Sequence, residues 1–193
     1  MEIRELVKSA FDRDLSNIGA LTDAFELVRA LEEMDFLAAH KYNLRIRRLS
    51  ARYAREHGSI DMFELNKKSL LFDAPHNLDA YLQYLEWARK PEERFYLPRR
   101  RIMRRVAASL QKLVDNELDE LFLSFPPRTG KTTMLMMFAT WLLGREPERS
   151  NLYSAYSDII TSAFYTGCLE IINDPVTYLW HDVFPAARIV STN

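Results

Sequence analysis

The stretch that decides the fold prediction is LFLSFPPRTGKTTMLMMFATWLLG, residues 121–144. It opens with a short apolar run, LFLSF, of the kind that forms buried strands. It closes with a helical pattern over Lys131–Leu143, which Gly144 is expected to end. Two prolines, an arginine and Gly130 lie between these two parts. The stretch therefore predicts a strand, a tight loop and a helix in direct succession.

The loop ends in Gly130, Lys131 and Thr132, the last residues of the phosphate-binding loop motif. Unpaired N–H groups and the helix dipole attract anions at such a helix start. Gly130 allows close backbone approach, Lys131 supplies charge for the β- and γ-phosphates, and Thr132 offers its hydroxyl to Mg²⁺. The pattern predicts ATP and Mg²⁺ as ligands. The alternative is a structural corner in which a threonine simply caps the helix.

The residues beyond the loop continue the alternation of strands and helices. NLYSAYS, residues 151–157, and ARIVSTN, residues 187–193, are predicted strands, and a helix is predicted over 159–172. Such alternation is typical of a doubly wound parallel sheet. The predicted fold class is therefore α/β. A helical N-terminal region, residues 1–93, precedes the first part of a truncated P-loop ATPase domain of the ASCE type, residues 94–193.

Apolar residues at helical spacing dominate the first half of the chain. One helix face is predicted from Leu27, Leu31, Met34 and Ala38, and the pattern continues through Ile46, Leu49 and Tyr53. Gly58 is expected to end this helical pattern. A further helix is predicted over about Asp79–Lys90.

Composition restricts the class of protein. The 193 residues include 26 basic and 27 acidic side chains, and aromatic residues are frequent, so disorder is not expected. The single cysteine, Cys168, excludes an internal disulfide and favours a reducing compartment. Four scattered histidines argue against a zinc cluster. The charged start is not a signal peptide, and the apolar run Met134–Leu143 is too short to span a bilayer, so a cytoplasmic protein is predicted.

Basic residues concentrate directly ahead of the loop. RFYLPRRRIMRR, residues 94–105, contains six arginines and no acidic residue. Pro98 fits the first turn of a helix, where its missing N–H costs nothing. An apolar stripe on that helix is predicted from Ile102, Val106, Leu110 and Leu113. Because the arginines lie just ahead of the loop, we expect them to serve nucleotide or phosphate contacts more than duplex DNA contacts.

Four segments in this order resemble the large subunit of tailed-phage and prophage terminases, the ATP-driven motors that package DNA into capsids. They are FYLPRR, LFLSFPPRTGKTT, TWLLGREPERSNLYSAYSD and LEIINDPVTYLWHDVFP, and the resemblance covers about residues 60–193. In that family Pro-Pro-Arg-x-Gly-Lys-Ser/Thr replaces a loop that begins with glycine. Phe125, which stands at the usual glycine position, is thus a family variant.

The resemblance implies a set of site residues. Those of the phosphate loop are Pro127, Arg128, Thr129, Gly130, Lys131, Thr132 and Thr133, and those flanking the adenine are Phe95, Tyr96, Arg99 and Arg100. Lys131 and Arg128 are the candidate catalytic residues, and Arg128 responds either to the γ-phosphate or to a neighbouring subunit. The alternative for Arg128 is a solvated side chain paired with a surface acid. For the adenine segment, the alternative is that its apolar residues are core and its arginines face solvent.

The resemblance also implies partners and a missing part. The partners are a terminase small subunit, a portal protein and double-stranded DNA, and the subunits form a homo-oligomeric ring in the host cytoplasm. ATP hydrolysis needs an acidic pair after an apolar strand, and no such pair follows Lys131. Asp158 is expected to cap the next helix instead. We therefore expect the acidic pair and a nuclease domain beyond residue 193, and little ATP turnover by this chain alone.

Two other classes of protein remain open. The chain could belong to another P-loop NTPase, such as a helicase or a small-molecule kinase. It could also be a non-catalytic module whose helical half docks onto a partner while the loop is vestigial. A nucleotide-binding measurement separates the terminase reading from the vestigial one.

Overall fold

The computed structural model describes residues 2–188, which form helices joined by turns and extended segments. The chain divides into two compact units, Met1–Asp73 and Ala74–Asn193. The sequence-based boundary between residues 93 and 94 lies inside the second of these units. None of the described helices is long and apolar enough to cross a membrane.

The first unit is a four-helix arrangement with its own apolar core. Its helices are α1 (Ile3–Asp12), α2 (Ile18–Glu32), α3 (Phe36–His57) and α4 (Ile60–Asp73). α3 packs against both α2 and α4. Leu21, Leu31, Ile46 and Leu70 are among its fully buried side chains. Burying a side chain of this size stabilises the fold by about 1.5–3 kcal/mol.

The predicted continuous helix face over residues 27–38 is wrong. The Asp35 side chain accepts a hydrogen bond from the Ala38 N–H at 3.1 Å and so begins α3, which separates it from α2. Met34 lies in the break and is 64% exposed. The prediction for Gly58 is confirmed, since it ends α3 with a left-handed φ of 61°.

Buried polar contacts join α3 to α4. Asp73 accepts hydrogen bonds from His40 Nδ1 and from Arg47 Nη2. Asn43 Nδ2 donates to the Ser69 carbonyl at 2.9 Å, and the Ser69 hydroxyl donates back to Asn43 Oδ1 at 2.8 Å. Because these groups satisfy one another, they fix the register of the two helices without leaving a buried donor unpaired.

The second unit is built around a central helix. Its helices are α5 (Leu78–Leu85), a 3₁₀ turn (Pro91–Glu93), α6 (Tyr96–Val114), α7 (Lys131–Arg145), α8 (Asp158–Asn173) and α9 (Trp180–Val183). α7 packs against α5 and α8, and its fully buried Trp141 donates from Nε1 to the Ala74 carbonyl at 2.8 Å. Gly144 lies inside α7 instead of ending it. A Cβ at this position would overlap the Phe184 ring, so glycine permits close packing there.

The helix that carries the arginines begins close to its predicted start. Pro98 lies in the first turn of α6, as predicted. The predicted apolar stripe is shifted by one residue at its beginning, because Met103 is buried and Ile102 is 67% exposed. Val106 and Leu110 face the core as expected.

The predicted α/β fold class is wrong, because residues 2–188 contain no strand and no sheet. Residues 121–125 and 151–157 have no regular secondary structure and belong to no ladder. Phe122 is 91% exposed and Leu152 is 98% exposed, so these runs are not buried strands. An apolar, β-prone run shows only that a segment suits a sheet, whereas a strand also requires a hydrogen-bonded neighbour. Most of the third predicted strand, residues 189–193, lies outside the described residues.

Candidate functional site

The loop ahead of α7 has an unusual backbone conformation. Arg128 and Gly130 both have positive φ angles, of 64° and 88°. Few residues other than glycine adopt this left-handed region, so Arg128 is an outlier. The Thr129 hydroxyl donates to the Pro126 carbonyl at 2.9 Å and closes the turn. Turns of this kind can direct consecutive backbone N–H groups to one side, where they bind anions.

The first turn of α7 follows this loop without a side-chain cap. Its N-cap is Gly130, and its first helical hydrogen bond runs from the Met134 N–H to the Gly130 carbonyl at 3.0 Å. Within residues 2–188, no side chain accepts the N–H groups of Lys131, Thr132 and Thr133 as a cap. The positive end of the helix dipole lies at the same place. The side chains of Asn17, Asp35 and Asn77 cap α2, α3 and α5, whereas α1, α6, α8 and α9 resemble α7 in having no such cap.

The polar side chains of the loop face outward. Lys131 and Thr132 are exposed in the first turn of α7, and Thr133 is half-buried. Pro127 and Arg128 are exposed as well. Among the described residues, no carboxylate forms an ion pair with Lys131 or Arg128. Both cationic groups are therefore available to an anion.

Phe95, from the predicted adenine segment, lies against this loop. A Cβ added at Gly130 would come within 2.7 Å of the Phe95 Cζ atom and closer still to Cε2. Two features therefore favour glycine at this position: the positive φ angle and the close approach of the Phe95 ring. The Arg99 guanidinium lies over the same ring, 5.0 Å from its centroid, and Nη1 donates to the Phe95 carbonyl at 3.1 Å. Phe95 and Arg99 therefore lie together beside the loop.

Tyr96 and Arg100 contact other groups of the protein. Tyr96 is fully buried, and its hydroxyl donates to Asp79 Oδ1 at 2.6 Å. Burial and the neighbouring Asp79 carboxylate raise the pKa of Tyr96. Arg100 donates to both oxygens of Asp79, at 2.9 and 2.7 Å. These contacts fasten α6 to α5, so the adenine role of these two residues stays a prediction.

Glu86 is a residue of this region that the sequence did not indicate. Its side chain is buried, and its carboxylate accepts the N–H of Phe95 at 2.9 and 3.0 Å and the N–H of Tyr96 at 2.8 Å. It also accepts a hydrogen bond from Arg89 Nη1 at 3.0 Å. Glu86 thus satisfies the start of α6 from outside that helix. Sequence capping signals concern residues next to a helix start, and Glu86 is too far along the chain to give one.

The six arginines of residues 94–105 serve different purposes. Arg94 donates to the carbonyls of Trp87 and Arg89 at 2.7 and 2.9 Å, so it holds the turn ahead of α6. Arg99 lies beside the loop. Arg100 pairs with Asp79. The remaining three are exposed on the side of α6 that faces away from its buried residues, and they are Arg101, Arg104 and Arg105.

Asp158 does not cap the next helix as predicted. The N-cap of α8 is Ser157, and no side chain makes a capping hydrogen bond there. Asp158 is the first helical residue, where its negative charge is favoured by the positive end of the helix dipole.

A cleft of about 310 Å³ lies towards the opposite end of α7 from the phosphate loop. Phe138 and Leu142 are in its wall, and residues 126–133 do not line it.

The groups around the loop are suited to contacts with phosphates and with a flat base. Backbone N–H donors, a helix N-terminus, an exposed lysine and threonine hydroxyls are suited to phosphate oxygens. An aromatic ring with an arginine beside it is suited to a flat base. Comparisons with protein-family models, with curated proteins and with solved structures found no match to this chain.

Proposed function

We propose that residues 126–133 bind the phosphates of ATP-Mg²⁺. The observation that carries this proposal is the start of α7, which has no side-chain cap and follows a turn with left-handed residues at Arg128 and Gly130. Lys131 and Thr132 are exposed in the same first turn. A cationic helix start that follows left-handed residues and has no side-chain cap is suited to binding an anion.

Each group contributes in a distinct way. The backbone N–H groups of the first turn donate to phosphate oxygens, and a hydrogen bond to a charged group contributes about 1.5–3 kcal/mol. Lys131 adds a mobile positive charge, and Thr132 supplies an oxygen ligand to Mg²⁺. Phe95 presents a ring that can stack on the adenine, and the Arg99 guanidinium, which lies over that ring, adds a positive charge beside it.

The support for this proposal does not include a strand ahead of the loop. A phosphate-binding loop motif normally follows a strand, and no strand is present among residues 2–188. The support now comes from the loop conformation, the uncapped start of α7 and the contact of Phe95 with Gly130. None of the three requires a sheet.

We further propose that the chain serves in a DNA-packaging motor of the terminase large-subunit kind. The support is the order of the four sequence segments and the Pro-Pro-Arg-Thr-Gly-Lys-Thr loop. The corresponding partners are a small subunit, a portal protein, double-stranded DNA and further copies in a ring. A non-catalytic nucleotide-binding module is the second candidate, because no acidic pair follows Lys131 in this sequence.

A titration with a fluorescent ATP analogue in the presence of Mg²⁺ tests nucleotide binding. We expect Lys131→Ala to weaken binding at least about tenfold, which corresponds to about 1.4 kcal/mol. Lys112→Ala is the matched control, because it removes an exposed lysine from the far end of α6. Its affinity should remain within about twofold of wild type. Equal affinities of wild type and Lys131→Ala would contradict the proposal.

A further inference from the structure

Glu86 is a buried carboxylate at the end of α5, and its partners lie directly after α5 and at the start of α6. It is 1% exposed, and it accepts hydrogen bonds from Phe95, Tyr96 and Arg89. A buried carboxylate is tolerated only where donors and an opposite charge surround it. Arg89 provides the charge, and it is held in turn by the Tyr178 hydroxyl, to which Nη1 donates at 3.0 Å. The Glu86 carboxylate is therefore fixed in place.

Both oxygens of this carboxylate accept the Phe95 N–H, at 2.9 and 3.0 Å. Phe95 is the N-cap residue of α6, and its own side chain makes no capping bond. The backbone of Phe95 is thus held by Glu86, while its ring is free to point at the loop. That ring lies against Gly130, the residue at which the loop turns into α7.

We infer that Glu86 is the positioning residue of the phosphate loop, an inference that rests on the proposed ATP-binding function. Glu86 fixes the backbone of Phe95, and Phe95 in turn bounds the space available to Gly130. The loop is thereby held in the conformation that has positive φ angles at Arg128 and Gly130. Holding a loop in its binding conformation raises affinity because less order is lost when the ligand binds.

A purely structural role for Glu86 makes a different prediction. In that case its removal would destabilise α6 and change nucleotide affinity only as far as folding fails. Asp79 offers a matched comparison, because its carboxylate also joins α5 to α6. It does so through Tyr96 and Arg100, at 2.6–2.9 Å, and not through the Phe95 N–H. A comparison of variants at Glu86 and Asp79 therefore distinguishes positioning of the loop from anchoring of α6.

Glu86→Gln is the informative variant. It preserves shape, but one oxygen becomes an NH₂ group that has to face the Phe95 N–H, so two donors oppose each other. We expect the affinity for a fluorescent ATP analogue with Mg²⁺ to fall at least about fivefold in Glu86→Gln. In Asp79→Asn the melting temperature should fall by about as much as it does in Glu86→Gln. The affinity of Asp79→Asn should nevertheless stay within about twofold of wild type. Unchanged affinity in Glu86→Gln, or an equal loss in both variants, would overturn the inference.

Phe95→Ala provides a second test, alone if Glu86→Gln does not fold and combined with Glu86→Gln if it does. Phe95 is only half-buried, so truncating it should leave the unit folded. We expect Phe95→Ala to weaken nucleotide binding, and Glu86→Gln to add nothing further in a Phe95→Ala background. Unchanged affinity in Phe95→Ala, or full additivity of the two changes, would overturn the inference.

Lys131→Ala distinguishes failure of this inference from failure of the proposed function. If Lys131→Ala weakens binding and Glu86→Gln does not, only the positioning role is wrong. If Lys131→Ala binds as wild type does, both the proposed function and the positioning role are wrong. Reduced affinity in both variants, with Asp79→Asn unaffected, would support both.

Discussion

The Phe95 ring lies so close to Gly130 that the loop has no space for a side chain at that position. Two penalties therefore combine in Gly130→Ala. The left-handed φ of 88° costs an L-residue about 1–2 kcal/mol, and the new Cβ displaces the ring as well. We expect the free energy of unfolding to fall by more than this backbone cost alone, as measured by urea denaturation followed by circular dichroism.

Gly58→Ala is the control for Gly130→Ala. Gly58 has a φ of 61°, but nothing lies within 4 Å of a Cβ built there. Gly58→Ala should therefore lose only the free energy that the left-handed backbone costs, with no contribution from a clash with a neighbouring ring. Adding Phe95→Ala to Gly130→Ala should recover part of the lost stability. Equal losses in the two glycine variants would show that the ring does not restrict Gly130.

The arginines of α6 should differ in their effect on nucleotide binding. Arg99 lies over the Phe95 ring beside the loop, whereas Arg104 is exposed on the outer side of the helix. We expect Arg99→Ala to weaken the binding of a fluorescent ATP analogue about threefold to tenfold, because it removes a cation next to the phosphates and base. Arg104→Ala removes the same charge from the same helix and should change affinity less than twofold. A larger effect of Arg104→Ala would place the nucleotide elsewhere.

Cys168 should behave as a protonated, protected thiol. It is 7% exposed, and burial raises its pKa from 9.0 to about 11. Because the folded pKa lies above the unfolded one, this contribution to stability is complete below pH 9 and is lost as the pH rises towards 11. We expect slow reaction with a thiol reagent at pH 8 in the native protein and fast reaction in urea. Equal rates in the two conditions would mean that the segment around Cys168 is open in the native state.

Binding and turnover of ATP should be separable in this chain. Lys131 and Thr132 are suited to phosphates and Mg²⁺, but no acidic pair follows them in the sequence to orient the attacking water. We expect steady-state phosphate release close to the background rate at saturating ATP. The loss of such groups costs orders of magnitude in rate. Turnover that Lys131→Ala abolishes would reveal a catalytic carboxylate within these residues, and Asp158 would be the first to test.

Some local sequence signals predicted the fold correctly, although those at Gly144 and Asp158 did not. Gly58 ends α3, Pro98 lies in the first turn of α6, and Lys131 begins α7. Each of these depends on a few neighbouring residues, through backbone conformation or a missing N–H. Such residues indicate helix starts and ends only where packing does not require the same residue for another reason, as the contact of Gly144 with Phe184 does.

Features that depend on distant parts of the chain were not predicted correctly. The runs at 121–125 and 151–157 have strand-like composition, but pairing requires a partner that a local pattern cannot supply. The role of Glu86 was missed for the same reason, since its carboxylate reaches the start of a helix from the end of another. For the candidate site, Phe95 lies beside the predicted loop, whereas the anchoring of Tyr96 and Arg100 by Asp79 depends on the packing of α5 against α6.

The most direct test of the central claim is a map of backbone amide shifts in ¹H–¹⁵N spectra during titration with Mg²⁺-ATP. The claim is that the N–H groups of the loop and the first turn of α7 bind phosphate. It predicts that the largest changes occur at residues 128–133, with smaller changes at Phe95, and that Lys131→Ala suppresses them. Changes centred on the cleft around Phe138 and Leu142, or no change at residues 128–133 at saturating ATP, would contradict it.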